Sequence, residues 1–347
     1  MPGALLTIDL GAVAANWRAL DAKSANTVET GAVIKANAYG LGVGPVGRAL
    51  QKAGAKTFFV ALAAEGVVLR QAIGPTARIF VFSGYMQGDE SAFDEFDLTP
   101  LLNSADQVVR YLTHRHGAEY GLQLDSGMNR LGMESPELVS VIEHFPAIDP
   151  VLTMSHLACA DEPEHPQNLD QLTAFNEMAA TLTSQQSSLS ATGGILLGAD
   201  YHMDITRPGI GLYGGEPFMD ARPVVTLSLP VIQTRPVAVG ESVGYGATWV
   251  APRPSTIATV AGGYADGLIR AMGSNASLYA GDTRCPIVGR VSMDLITVDV
   301  TDLAQVPASL DILNTTQTVD VLADAAGTIG YEILTSLGNR YQRVYKD

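Results

Sequence analysis

Before residue 215 the chain alternates short apolar runs with helix-periodic segments about eight times, and that repetition restricts what it can fold into. Strand-like runs fall at 31–34, 57–62, 78–82, 97–102, 119–124, 150–154, 190–197 and 205–212. The segments between them carry apolar residues at helical spacing, such as Val46, Leu50 and Ala53, or Val108, Val109 and Leu112. Eight parallel strand and helix units is the number that closes a barrel. A doubly wound open sheet usually has about five or six strands and a glycine-rich turn after the first. Here that turn reads Lys35-Ala36-Asn37-Ala38-Tyr39-Gly40. The expected fold class is therefore α/β, with an N-terminal (β/α)8 TIM-type barrel over residues 9–219. Asp9 is placed to cap a first helix carrying Val13, Trp17 and Leu20.

Past Tyr213-Gly214-Gly215 the rhythm changes to β-branched or alternating runs separated by turns, at 224–229, 242–249, 255–261, 277–280 and 296–300. Helical spacing is nearly absent until the last thirty residues. A mostly β C-terminal domain over 220–347, joined by an N-terminal strand at 1–8, follows from that pattern. A chain of 347 residues is long enough for both parts.

Composition narrows the function classes. A net charge of −15 argues against nucleic acid or an anionic membrane as partner, since both would be repelled. Neither an uninterrupted membrane-length apolar window nor a basic, signal-like N-terminus is present. The two cysteines, Cys159 and Cys285, cannot form a disulfide framework, and neither has metal-ligand spacing. A cytoplasmic protein without a metal centre is expected.

Lys35 ends the first barrel strand, where an ammonium is partly desolvated and its pKa falls. Taken alone, it reads first as a strand-end lysine whose amine snorkels to water rather than as an activated amine. Active sites of parallel barrels lie at the carboxyl ends of the strands, with phosphate often held after the seventh and eighth. Arg130 follows the fifth run, His156 the sixth, and Thr192-Gly193-Gly194 and Arg207-Pro208-Gly209-Ile210 fall around the last two. Each could be an ordinary turn or a hydrogen-bonded core residue. Together on one rim they supply what pyridoxal phosphate needs: an amine, a flat stacking partner and phosphate donors.

Eight motifs in order extend this. They are 32–40 (AVIKANAYG), 125–132 (DSGMNRLG), 155–161 (SHLACAD), 207–214 (RPGIGLYG), 243–248 (VGYGAT), 263–267 (GYADG), 289–294 (GRVSMD) and 330–332 (GYE). Along essentially its whole length the chain resembles the alanine racemase family, pyridoxal-phosphate enzymes built of a barrel and a β-domain. The resemblance implies that Lys35 carries the cofactor as a Schiff base. It implies that Tyr39, Thr192, Gly209, Ile210 and Tyr331 surround the phosphate, that His156 lies against the ring and that Arg207 faces the pyridine nitrogen. Arg130 and Met293 would meet the substrate carboxylate, and Asp161, Tyr264 and Arg290 would line the entry channel. Tyr245 and Met293 would come from the second subunit of a homodimer.

The implied reaction interconverts L- and D-alanine, supplying D-alanine for peptidoglycan. It removes a proton from one face of Cα and returns one to the other, so two bases must flank the carbon, and Lys35 with Tyr245 meets that requirement. A phenol titrating near about 10 needs neighbouring positive charge or hydrogen bonds to serve as a base. An arginine facing the pyridine nitrogen cannot accept a proton, which weakens the electron sink and disfavours transamination. Alternatives are a broader amino-acid racemase of the same fold, with serine as an example, a non-catalytic binder of the cofactor, or a decarboxylase of the same fold. The second domain with Tyr245 argues against the carrier, and the lack of a cysteine-centred motif there argues against the decarboxylase.

Some positions depart from the family pattern. Gln123 stands where many members have a carbamylated lysine, and its carbonyl is expected to accept a hydrogen bond from Arg130. Ala191-Thr192 replaces Asn-Ser, which keeps a hydroxyl for the phosphate. Ser292 and Leu295 replace a frequent cysteine and glutamine.

Overall fold

The computed structural model describes residues 3–115, 117–144 and 149–347, which fall into two compact units. Of the N-terminal strand expected at 1–8, residues 1 and 2 lie outside the described residues.

One unit, Val13–Leu212 with Pro217–Asp220, is the barrel. Its parallel strands run in chain order: Ala32–Val33, Thr57–Val60, Arg78–Val81, Thr99–Leu102, Gly121–Gln123, Leu152–Met154 and Ser187–Ser188. An eighth, Ile205–Thr206, pairs in parallel with Glu29–Thr30, just before the first of these. Val33 N donates to Pro208 O at 2.9 Å, Asp204 N to Ser187 O at 3.1 Å and Arg207 N to Ser190 O at 2.8 Å, so the hydrogen-bonded circuit closes. Phe58, Phe59, Val60, Ile79, Phe80 and Val81 are almost fully buried, which explains why these strands read as continuous apolar runs. Phe59 stacks on Phe80 at 5.4 Å and on Phe82 at 5.6 Å.

The late barrel runs need correction. The strand expected at 190–197 is a short helix, Thr192–Leu197, and the seventh strand is the polar pair Ser187–Ser188. Ser188 can be buried because its hydroxyl donates to Ile205 O on the adjacent eighth strand, which no hydrophobic pattern signals. In the helix, a Cβ at Gly193 would lie 2.8 Å from Ala160 O, and one at Gly194 2.7 Å from the Ser190 hydroxyl. The glycines allow close packing instead of marking a strand end. Only Ile205–Thr206 of the run at 205–212 is strand, and Ile210–Tyr213 is a 3₁₀ turn beyond Pro208.

The other unit comprises residues up to Ala12, Tyr213–Glu216 and Ala221–Asp347. Strand Leu5–Asp9 lies between Val225–Val237, antiparallel, and Gln342–Lys346, parallel. The long strand Val225–Val237 also pairs with Ser309–Leu313 and, past a bulge after Val231, with Ser255–Ala261. Leu6, Ile8, Leu227, Leu229, Leu310 and Ile312 form fully buried positions of this sheet. Helices Val319–Ala326 and Gly330–Ser336 follow. The Asp9 carboxylate accepts from Ala12 N at 2.8 Å, capping the first helix. Among the described residues no helix is long and apolar enough to cross a membrane.

Candidate active site

Lys35 directly follows the first barrel strand and begins an unusual turn. Ala36, Asn37, Ala38 and Tyr39 have φ of 53°, 54°, 56° and 53°, a left-handed helical turn built without glycine. Each such residue costs about 1–2 kcal/mol, so the turn must be held by its surroundings. Ala38 N donates to Ile34 O at 3.0 Å, Gly40 N to Ala36 O at 2.8 Å, and Val43 N to the Asn37 side chain at 2.9 Å. Ala36 N donates outward, to Glu65 Oε1 at 2.7 Å. The Lys35 ammonium sits 5.8 Å from the Phe82 ring centroid. Burial first, and then Arg130, lower its pKa, while Glu65 acts in the opposite direction.

The loop after the fifth strand is organised by one carboxylate. Asp125 Oδ1 accepts from Gly127, Met128 and Asn129 N at 2.8, 2.9 and 3.1 Å, and Oδ2 accepts from Arg130 N at 3.1 Å. The Arg130 side chain itself is exposed. Gln123 does not support it as expected: its amide donates to Leu131 O at 3.3 Å and its buried Oε1 has no hydrogen-bond partner. The neighbouring loop is joined through fully buried Gln171. Gln171 accepts from Ala158 N at 2.7 Å and donates to His156 O at 3.0 Å and to the Ser126 hydroxyl at 3.4 Å.

His156 is half-buried. Desolvation, followed by Arg207, Arg130 and Lys35, pushes its pKa from the ordinary 6.5 down to about 3, so the imidazole is neutral at physiological pH. The folded chain therefore binds fewer protons here than the unfolded chain between those values. The resulting stabilisation is complete above about 6.5 and disappears as pH falls toward 3. Denaturant midpoints measured across that window should fall with acid more steeply for the native sequence than for His156→Gln.

Arg207 is the largest fully buried side chain. It donates to the Ser188 hydroxyl, to Ser155 O at 2.7 Å and to Leu189 O at 3.3 Å, and lies 6.0 Å from the Phe59 ring centroid. Burial pushes its pKa down to about 9, which leaves it cationic at neutral pH. The three acceptors are neutral and come from the loops and strand ends of the sixth and seventh units, which fix the guanidinium without neutralising it. Beside it, the Thr192 hydroxyl accepts from Gly209 N at 3.0 Å and Gly211 N at 3.2 Å. A Cβ at Gly209 would collide with the Tyr39 hydroxyl, so the end of the left-handed turn and the loop after the eighth strand meet at a position only glycine fits. Ile210 is buried behind it. Asp161 is exposed on the loop after the sixth strand.

In the β-rich unit, Tyr245 occupies a tight turn, Tyr245–Ala247, entered through Gly244 at φ 79°. Its side chain is 72% exposed. A Cβ at Gly246 would lie 3.6 Å from the Arg290 guanidinium carbon, so Arg290 accompanies this turn. Tyr264 and Met293, both exposed, belong to a second cluster: Tyr264 N donates to Ser292 O at 3.1 Å and Ala265 N to Met293 O at 3.0 Å. Asp266 and Asp294 brace it through Arg340, at 2.5 and 2.8 Å. Tyr331 is exposed on the helix Gly330–Ser336, and its carbonyl accepts from the Thr335 hydroxyl at 2.8 Å.

The barrel unit thus gathers Lys35, Arg130, His156 and Arg207 in one electrostatic environment, with Gly209 set against both Tyr39 and Thr192. Sequence reasoning did not single out the groups that hold them: Glu65, Gln171, Ser155 and Ser188. A glutamate in the first turn of a helix is a recognisable signal, but the residue before that helix is Leu62, so no capping box could be read.

Family models for the alanine racemase N-terminal domain and C-terminal domain match residues 8–217 and 224–345. The chain is 60% identical over 345 residues to an alanine racemase of Cereibacter sphaeroides, covering 99% of each, and 60% identical over 346 residues to one of Ruegeria sp., again covering 99% of each. Among solved structures it resembles alanine racemase from Bartonella henselae with covalently bound pyridoxal phosphate, at 36% identity, 100% coverage of both chains and a TM-score of 0.93. The biosynthetic alanine racemase from Pseudomonas aeruginosa gives 35%, 100% of both and 0.92. With both domain models in order and relatives matched almost end to end, the chain belongs to the alanine racemase family.

Proposed function

We propose that this protein interconverts L- and D-alanine with pyridoxal phosphate held at Lys35, using Lys35 and Tyr245 of the partner subunit as the two bases. The observation carrying this reading is the partly desolvated Lys35 amine on a rim that also presents a buried cationic Arg207 and the Tyr39, Thr192 and Gly209 junction. That junction suits a phosphate: on the rim, two hydroxyls, those of Tyr39 and Thr192, converge on Gly209. Ile210 and Tyr331 are assigned to the same group. Bound pyridoxal phosphate supplies the electron sink that makes the Cα proton of alanine removable.

The chain supplies the rest. Lys35 takes or returns a proton at Cα on one face, and Tyr245 does so on the other. Arg130 and Met293 orient the substrate carboxylate, His156 presents a neutral ring to the cofactor, and Asp161, Tyr264 and Arg290 line the approach. Arg207 would face the pyridine nitrogen of the bound cofactor and, staying cationic at neutral pH, would not give up its own proton there, which would limit charge uptake by the ring. Arg207→Glu is accordingly expected to slow racemisation and raise the pyruvate formed per turnover; an unchanged ratio would remove this role.

The exposed Tyr245 and Met293 suit a homodimer in which each subunit completes the other's site, and D-alanine for peptidoglycan, made in the cytoplasm, is the proposed physiological output. Cofactor absorbance of the purified protein, combined with L/D-alanine interconversion, tests the whole reading. Faster turnover of serine than of alanine would displace the substrate assignment.

A further inference from the structure

The left-handed turn beginning after Lys35 receives one hydrogen bond from an element distant in sequence. Ala36 N donates to Glu65 Oε1 at 2.7 Å, from a helix that starts after the next strand. The other oxygen of the same carboxylate accepts from Ala61 N at 2.8 Å and Leu62 N at 3.4 Å. Three backbone donors from two consecutive loops therefore converge on one half-buried side chain. Backbone held in a sparsely populated region persists only where its surroundings over-determine it.

We infer that Glu65 is a positioning residue for Lys35: by bridging the loops after the first and second barrel strands, its carboxylate holds the left-handed turn that aims the lysine amine into the site. This rests on the reading of Lys35 as the cofactor lysine. Glu65 acts through the backbone, because both oxygens are occupied by N–H donors and no ion pair joins it to Lys35 among the described residues. The donor chemistry also explains its residue type. Gln171 bridges the loops after the fifth and sixth strands, and Gln107 those after the third and fourth, donating to Ser83 O at 3.1 Å and accepting from Asn103 N at 3.0 Å. Those bridges meet donors and acceptors together, which suits an amide. At Glu65 every partner is a donor, and only an acceptor-only carboxylate satisfies them all. The electrostatic influence of Glu65 on Lys35, opposed to that of Arg130, is a secondary consequence of the same placement.

The test uses Glu65→Gln and Glu65→Asp in the full-length holoenzyme, and the pH dependence of Lys35 acetylation by acetic anhydride in the cofactor-stripped chain. Glu65→Gln turns an NH2 toward a backbone N–H; Glu65→Asp keeps the charge but is one methylene too short to span both loops. Both should lower kcat roughly 10- to 100-fold while changing KM less than about threefold. In Glu65→Asp the labelling midpoint of Lys35 should rise toward the ordinary lysine value of 10.5, as the relaxed turn returns the amine to water. Native kcat in Glu65→Gln overturns the proposal. So does native behaviour of Glu65→Asp, which would reduce Glu65 to its charge, or a fall in Tm with an unmoved labelling midpoint, which would make it merely structural. If the native protein fails to racemise alanine, the functional reading fails, and the labelling midpoint still decides whether Glu65 positions Lys35.

Discussion

Lys35→Ala is expected to lower kcat/KM for alanine racemisation by at least about 10⁴-fold in both directions. General acid–base catalysis alone contributes about 10²–10⁴-fold, and in the proposed reading the same amine also holds the cofactor, so one truncation would remove two functions. The loss should not come from unfolding. Burial and Arg130 disfavour the charged form of this lysine in the folded state, so at neutral pH the ammonium is better accommodated in the unfolded chain. Without cofactor, thermal melting of the variant should be unchanged or higher relative to the cofactor-free native chain. Retention of more than about 1% of the native rate would remove Lys35 from the proton transfer.

Tyr245→Phe should reduce racemisation by roughly 10²–10⁴-fold while leaving cofactor binding intact, because the removed hydroxyl belongs to an exposed turn of the β-rich unit. The rate alone would not distinguish a base from a residue that positions substrate. Isotope exchange does. In the proposed arrangement Lys35 would still remove and return the Cα proton on its own face once the phenol is gone, so in deuterated water one alanine enantiomer should exchange without inversion while the other stays protiated. Exchange of both enantiomers at equal rates, or native racemisation, would eliminate the two-face arrangement. A preserved Trp and cofactor fluorescence signal, read beside the exchange, separates loss of the base from loss of the site.

The barrel and its rim were legible because their signals are local. Runs such as Thr57–Val60 and Arg78–Val81 are apolar on both faces, as a parallel barrel strand must be, and Lys35, Arg130 and His156 each follow such a run. Legibility failed where long-range polar bonds replace apolar contact. Ser187–Ser188 is a strand through its backbone pairing with Leu152–Met154, with the Ser188 hydroxyl satisfied by Ile205 O, and Thr192–Leu197 is a helix although its composition reads as strand. The site shows the same division. Residue identity and order point to Lys35, Arg207 and Tyr245, but nothing in the order of residues reveals that Gln123 turns to Leu131 and leaves Arg130 to be held through its backbone by Asp125. The bridges made by Glu65 and Gln171 join residues 29 and 45 positions apart, beyond any motif.

The strand Leu5–Asp9 has a consequence for how the chain is made. It leaves the ribosome long before one of its neighbours, Gln342–Lys346, from which residues 10–341 separate it. At roughly 5–20 residues per second, the N-terminal strand waits tens of seconds for that neighbour, while all of Val13–Leu212 is already available to fold. Through that interval Leu6 and Ile8, which end fully buried, form part of an unpaired strand edge. Nascent chains stalled before Gln342–Lys346 has emerged should therefore aggregate more readily, and depend more on chaperones, than chains carried past it.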